Sequence, residues 1–281
     1  MEIRIINADQ TNAFIQHLHA EELSTGTIQK YWRDITAFSF WLNGESVTKQ
    51  SAAAWKEHLL FQNYQPVTVN SKIAALNAFF RFMEWGDCKV KYLKIQRRLF
   101  RDAAKELTRA EYERLLQAAQ KQGQTRLAVL LETICATGIR VSELKYITVE
   151  ACKKRYTEIS LKRKTRTILL PDKLCRKLLK YAEKQKIASG EVFLTKSGNS
   201  LSRRQIWAEM KRLCKTAGVE PTKVFPHNLR HLFARIFYKV TRDVAKLADV
   251  LGHSSIETTR IYLVSTGREH ARQLERLGLV N

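Results

Sequence analysis

The chain has 281 residues, with 49 Lys and Arg against 27 Asp and Glu, a formal charge of +22 and a pI near 10.0. A chain of this length can bury at least one sizeable core and is expected to form two domains, and a field of this sign draws in polyanions, with nucleic acid the leading partner and an anionic membrane surface the second. No stretch of roughly 18 apolar residues occurs and the opening MEIRIINADQ has no apolar core of signal-peptide length, so neither a membrane span nor a leader is expected.

Gly and Pro are scarce, 11 and 4 in the whole chain, and helical periodicity covers most of it, so the expected fold is mainly α with a small β-sheet. In STGTIQKYWRDITAFSFWL a capping residue, Ser24 or Thr25, precedes Ile28, Trp32, Ile35, Phe38 and Leu42 at the spacing of one helical face. PVTVNSKIAALNAFFRFMEW repeats the pattern with Ile73, Leu76, Phe80 and Met83. With Phe14, Ile15 and Leu18 in front and Trp55, Leu59 and Leu60 between, these segments predict a bundle of four or five helices. The basic stretch KVKYLKIQRRLFRDAAK interrupts the periodicity and marks the boundary: a helical domain over 1–98, a linker over 99–106 and a second domain over 107–281. The first hundred residues carry roughly +3 and the remainder roughly +19, an asymmetry that places the stronger grip on a polyanion in the second part.

That part opens on LTRAEYERLLQAA, where Thr108 and Glu111 have capping-box spacing. A buried helix, RLAVLLETICATGIRVSELKYI, is broken by Gly138. RYTEISLKRKTRTILLP predicts a β-hairpin with a basic tip, Thr157, Ile159 and Leu161 alternating before the turn and Thr167 and Leu169 after it. Helix returns through SRRQIWAEMKRLCKTAG and PHNLRHLFARIFYK to the end. The five cysteines, Cys88, Cys135, Cys152, Cys175 and Cys214, are odd in number and form no CxxC pair, which reads as reduced thiols in a cytoplasmic protein.

Four local signals bear on chemistry. Arg140 follows Gly138 and projects from a turn. In HNLRH, His227 and Arg230 share a helical face; His227 and His231 have the spacing of a zinc helix, but the HExxH glutamate and a third ligand are missing, so no metal site is expected. In LADVLGHSSIETTRIYL, Gly252 suits a helix C-terminus, Ser254 with Glu257 would cap a short helix, and His253 stands at the junction. Tyr262 comes nine residues after His253, roughly 120° from the face shared by Ile256 and Leu263, and so outside the apolar stripe. Converging Arg, Lys and His side chains can neutralise a phosphate under attack without a metal ion. A tyrosine hydroxyl becomes a nucleophile where neighbouring cations favour its ionised form.

The ordered set ATGIRVSEL, hairpin lysine, PHNLRHLFA and LADVLGHSSIETTRIYL resembles the signature blocks of the tyrosine recombinases, the phage and transposon integrases and Xer-type resolvases. LSTGTIQKYWRDITAFSFWL and TVNSKIAALNAFFRFM resemble that family's SAM-like core-binding domain, so the likeness covers nearly the whole chain. It implies a two-domain C-shaped DNA clamp, an N-terminal helical bundle joined to a mixed α/β catalytic domain. It also implies Tyr262 as nucleophile, forming a 3′-phosphotyrosine and freeing a 5′-hydroxyl. Arg140 and Arg230 would hold the non-bridging oxygens, His227 would assist proton transfer, His253 would stabilise the transition state and Glu143 would orient the cations. The acid for the leaving oxygen would be a hairpin lysine. Matching the first strand gives Lys162, which is preferred because strand register fixes which side a residue faces; counting from Arg140 gives Lys164 as the alternative.

The resemblance further implies double-stranded DNA as partner, a tetramer on DNA assembled from monomers or weak dimers, strand exchange through a Holliday junction, no cofactor, and a bacterial or archaeal cytoplasm. Accessory recombination factors, and the choice between mobile-element integration and dimer resolution, are left open. An extra arm-binding domain before the bundle is not expected, and the tail STGREHARQLERLGLVN would form one helix against a neighbouring subunit. Candidate DNA contacts are Lys72, Arg81, Lys94, Arg97 and Arg98 in and before the linker, and Arg203, Arg204, Lys211 and Arg212 beyond it. Two competing readings are a type IB topoisomerase-like relaxing enzyme, disfavoured by the short motif blocks, and a non-catalytic DNA-binding relative, disfavoured by the complete residue set.

Overall fold

The computed structural model describes residues 3–96, 103–161, 164–262, 271–272 and 274–277. The chain divides into two compact units, Met1–Arg97 and Arg98–Asn281.

Among its described residues the first unit holds four α-helices, α1 (Ala8–Ala20), α2 (Thr25–Leu42), α3 (Lys49–Phe61) and α4 (Pro66–Phe82). Their starts are dictated locally: Asn7 and Thr48 form capping boxes, Ser24 accepts from the Thr27 amide, and Pro66 occupies the first helical position, where no amide hydrogen is needed. The stripes meet around Phe14, Ile35, Phe38, Trp55, Ile73 and Phe80. Trp32 departs from expectation and is 48 % exposed. At about 100° per residue it lies roughly 70° from the centre of the face set by Ile28, Ile35, Phe38 and Leu42, on the stripe's margin.

The second unit contains α5 (Arg109–Lys121), α6 (Thr125–Thr137), a 3₁₀ turn (Val141–Tyr146), α7 (Val149–Lys154), the strands β1 (Tyr156–Leu161) and β2 (Lys164–Leu169), then α8 (Asp172–Lys184), α9 (Arg203–Ala217), α10 (Pro226–Thr241), α11 (Val244–Leu251) and α12 (Ile256–Arg260). Helix α6 is buried on nearly all sides and packs against α5, α8, α9 and α10. Such a helix cannot shift without opening the core, which makes its C-terminus a fixed platform. Residues just before α5 are tied to α10: Asn228 donates to the Lys105 carbonyl and Arg235 pairs with Glu106.

The strands pair antiparallel in the register Leu161↔Lys164, Ile159↔Arg166 and Thr157↔Ile168. This phase corrects the sequence reading of β2. Ile168 is buried and Arg166 half-buried, whereas Thr167 and Leu169 face solvent. Only two residues separate the strands, so odd positions of β1 face even positions of β2, and a shift of one residue exchanges the faces. All five cysteines are free, and four of them are buried. Among the described residues no helix is long and apolar enough to cross a membrane.

Candidate active site

Gly138 ends α6 with φ +64°, a conformation suited to glycine, and a β-carbon there would stand 2.4 Å from the Phe233 ring. The chain then turns sharply into Arg140, which caps the 3₁₀ turn. The Arg140 amide donates to Glu143 Oε2 at 2.7 Å, and its guanidinium meets Glu143 Oε1 at 3.0 Å. Glu143 is 2 % exposed and also accepts from Arg166 Nη2. A buried carboxylate thus anchors two guanidiniums, and Arg140 still presents an open face, its side chain 43 % exposed.

Arg230, on the first turns of α10, is 2 % exposed. It donates to the Gly138 carbonyl at the end of α6, to the Leu251 carbonyl at 2.8 Å at the end of α11, and lies 3.0 Å from His253 Nε2. The ends of two helices are therefore held by one side chain, each offering carbonyls that lack intrahelical partners. Burial, then Arg140, lowers the Arg230 guanidinium to about 10, opposed by the nearby Tyr262, so it remains cationic at neutral pH.

Gly252 ends α11 in the left-handed conformation, as expected, and directs His253 inward. The short helix starts one residue later than the sequence suggested: Ser255, not Ser254, accepts from the Glu257 amide at 3.2 Å. His253 Nδ1 lies 2.8 Å from the Thr259 hydroxyl. Burial, with Arg230, Arg140, Arg166 and His227 around it, pushes the His253 imidazole down to about 4.

Tyr262 also corrects an expectation. It is 4 % exposed and belongs to a small core with Ala234, Leu247 and Leu251, while Ile256 is on the surface. Helix α12 stops at Arg260, so the 100° progression ends before the tyrosine, which turns back toward α10 and α11. Its ring stacks on His253 at 5.8 Å, meets His231 edge-on at 4.5 Å and lies 6.5 Å from His227. His227 is lowered by burial, Arg230 and Arg140; His231 falls to about 4, chiefly through burial.

Arg140, Glu143, His227, Arg230, His253 and Tyr262 thus converge, from three segments spread over more than a hundred residues. Lys162 lies outside the described residues, and Lys164 is described only by its backbone position opposite Leu161. Sequence reasoning missed Arg166, Thr259 and His231. Correct strand phase would have turned Arg166 inward; Thr259, fully buried, gives no local signal; and His231 was weighed only as a zinc ligand. Among the described residues no three metal-binding side chains gather.

The candidate DNA contacts separate. Arg81 and Lys94 are exposed, and Arg97 and Arg98 lie outside the described residues. Lys72 is ion-paired with Asp34 at 3.1 Å. Arg203 and Arg204 are exposed at the start of α9, and Arg203 lines the cleft with Arg140 and His253. Lys211 donates to the Pro221 carbonyl and lies over the Trp207 ring, and Arg212 is exposed.

Two family models match the chain, the phage integrase family over residues 105–268 and the phage integrase N-terminal SAM-like domain over 11–86. Tyrosine recombinase XerA of Thermococcus kodakarensis is 30 % identical, covering 94 % of this chain and 95 % of the relative. Tyrosine recombinase XerD of Xanthomonas axonopodis pv. citri is 29 % identical, over 95 % and 96 %. Among solved structures, a lambda integrase dimer (75–356) bound to a COC′ core site superposes with a TM-score of 0.74 at 19 % identity, covering 93 % of this chain and 96 % of that one. The Tn1549 transposon integrase in complex with transposon right end DNA gives 0.71 at 17 %, covering 96 % and 99 %.

Proposed function

The chain belongs to the phage integrase family, the tyrosine recombinases, and we propose that the cluster around Tyr262 is where it cuts and rejoins DNA. It is a site-specific DNA recombinase acting on double-stranded DNA. The observation that carries the assignment of the site is the placement of Tyr262 beside Arg230 and His253 of its own chain.

The Tyr262 oxygen attacks the scissile phosphorus, forming a 3′-phosphotyrosine as the bond to the 5′-oxygen breaks. Arg140, exposed and aimed by Glu143, and Arg230 take the charge on the non-bridging oxygens. His227, held neutral by burial and the arginines, accepts the tyrosine proton. The hairpin lysine, Lys162 or Lys164, supplies a proton to the leaving 5′-oxygen. A 5′-hydroxyl of a second duplex then attacks the phosphotyrosine and restores the phosphodiester without ATP, because the covalent intermediate keeps the energy of the broken bond. Two such exchanges pass through a Holliday junction, within a tetramer in the bacterial or archaeal cytoplasm. Each subunit uses its own tyrosine, since Tyr262 already lies in its own chain's cluster.

The test is a nicked suicide duplex carrying the chain's own site. Wild-type protein should form a covalent adduct that Tyr262→Phe does not form while still shifting the duplex in a gel. Two sites on a supercoiled plasmid should give recombinants; relaxation without recombinants, or an adduct persisting in Tyr262→Phe, would overturn the assignment.

A further inference from the structure

Arg166 lies on the inward face of the hairpin, paired with Ile159 across the ladder, and its side chain is 13 % exposed. Its Nη2 donates to Glu143 Oε2, the carboxylate that also holds Arg140. Its Nη1 donates to the Val250 carbonyl at 3.1 Å, two residues before the Gly252–His253 junction. Its aliphatic stem crosses Gly252 so closely that a β-carbon there would stand 2.4 Å from Cδ. One side chain therefore ties three separate segments together: the hairpin, the turn that carries Arg140, and the end of α11 that leads into His253. A planar guanidinium can serve a carboxylate and a carbonyl in different directions at once; a lysine head cannot bridge them with the same geometry.

We propose that Arg166 is a positioning residue, clamping the hairpin to Glu143 and to the α11–α12 junction and so setting where the hairpin's lysine stands relative to Arg140 and His253. This rests on the reading that a hairpin lysine protonates the leaving 5′-oxygen. Both lysine candidates are close to the clamp along the chain, Lys164 two residues before Arg166 and Lys162 four. Lys164 stands on the same strand as Arg166, about 7 Å away at roughly 3.3 Å per residue, so a displacement at Arg166 carries to it, and Lys162 is two residues further along the chain. Proton transfer falls away once the donor leaves hydrogen-bonding reach, so the clamp acts on the leaving-group step more than on phosphate binding.

The experiment compares suicide duplexes with oxygen or sulfur at the bridging 5′ position, since a thiolate departs without an acid. Full-length wild type, Arg166→Met, Arg166→Lys, Lys162→Ala and Lys164→Ala are measured on both. Arg166→Met should cleave the oxygen substrate at least about 100-fold more slowly, the scale of a lost general acid. It should cleave the sulfur substrate within about 10-fold of wild type, with DNA affinity unchanged. Arg166→Lys, which keeps the charge and one arm of the clamp, should fall between them, and it carries the test if Arg166→Met loses its helical circular dichroism. A merely stabilising arginine would slow both substrates by the same factor, and that result, or unimpaired cleavage of the oxygen substrate, overturns the proposal. If a lysine variant is rescued by sulfur and Arg166→Met is not, the inference about Arg166 fails alone. If neither lysine variant is rescued, the reading of the hairpin acid fails and takes this one with it.

Discussion

The Arg230 guanidinium lies 3.0 Å from His253 Nε2, and this contact fixes the tautomer of the histidine. An arginine can only donate, so Nε2 accepts, Nδ1 carries the hydrogen, and Nδ1 donates to the Thr259 hydroxyl 2.8 Å away. Thr259 is fully buried, so replacing its hydroxyl with a methyl leaves the imidazole N–H without a partner. Thr259→Val should lower unfolding free energy by about 1–3 kcal/mol and slow formation of the covalent adduct, while Thr259→Ser keeps both near wild type. Urea unfolding and suicide-duplex cleavage measure the two effects; a Val variant as stable and active as Ser would remove the hydrogen bond from the account.

Burial of uncharged histidines makes stability depend on pH. His231 and His253 are lowered from 6.5 to about 4, and His227 is lowered in the same direction. Between those values the unfolded chain binds protons that the folded chain refuses, so stability is full above about pH 6.5 and declines as pH falls toward 4. Each histidine contributes a slope of at most about 1.4 kcal/mol per pH unit. His231→Phe, which keeps an aromatic ring against Tyr262, should flatten this decline. Denaturation midpoints of the two proteins at several pH values provide the check.

The helix ends were readable because capping is local: Ser24 and Thr108 with Glu111 at two starts, and Gly252 at one stop, sit within four residues of the groups they satisfy. The cluster was readable because its residues stand in short motifs in chain order. What escaped depends on distance in sequence. The burial of Tyr262 depends on where α12 ends against α10 and α11, and the inward face of Arg166 on a pairing register that a strand pattern alone does not phase. Glu143 was expected to orient cations, but that it holds Arg166 as well as Arg140 is a contact across 23 residues that no local pattern announces.

DNA binding should take up protons. A phosphodiester placed among Arg140, Arg230, His227 and His253 favours the charged imidazoles that the unliganded cluster disfavours, raising their pKa values toward or past the ordinary 6.5. At pH 6 the complex should therefore hold more protons than its parts. Calorimetric titrations of Tyr262→Phe with its duplex, in buffers of different ionisation enthalpy, should give a positive uptake that shrinks toward pH 8; no uptake at pH 6 would place the phosphate away from these histidines.

Gly138 combines a left-handed backbone with a space that no β-carbon fits. A β-carbon there would meet both edge atoms of Phe233, at 2.4 and 2.5 Å, and the Leu251 side chain at 3.1 Å. Its carbonyl also accepts from Arg230. Gly138→Ala should cost at least about 1–2 kcal/mol for the backbone conformation alone, with overpacking adding to it. Cleavage should fall further than stability does, because the turn carrying Arg140 moves with it. Folded variant protein with wild-type cleavage would show that Arg140 tolerates displacement of its turn.

The exposed arginines of α9 and the paired lysine of α4 should behave differently toward salt. Each phosphate contact contributes about −0.9 to the slope of log affinity against log salt. Arg203 and Arg204 are exposed at the start of α9, Arg203 beside the cleft, whereas Lys72 shares Asp34 with Lys30 in a compact ion-pair cluster. Arg203→Ala and Arg204→Ala should each make the slope shallower by about 0.9, and Lys72→Ala should leave it unchanged because its ammonium is held on Asp34 within the first unit instead of being presented to a phosphate. Affinities measured for one duplex across a series of salt concentrations separate the cases. A slope that loses a full contact in Lys72→Ala would mean that DNA displaces Asp34 from the lysine, and an unchanged slope in both arginine variants would move the phosphate path away from the start of α9.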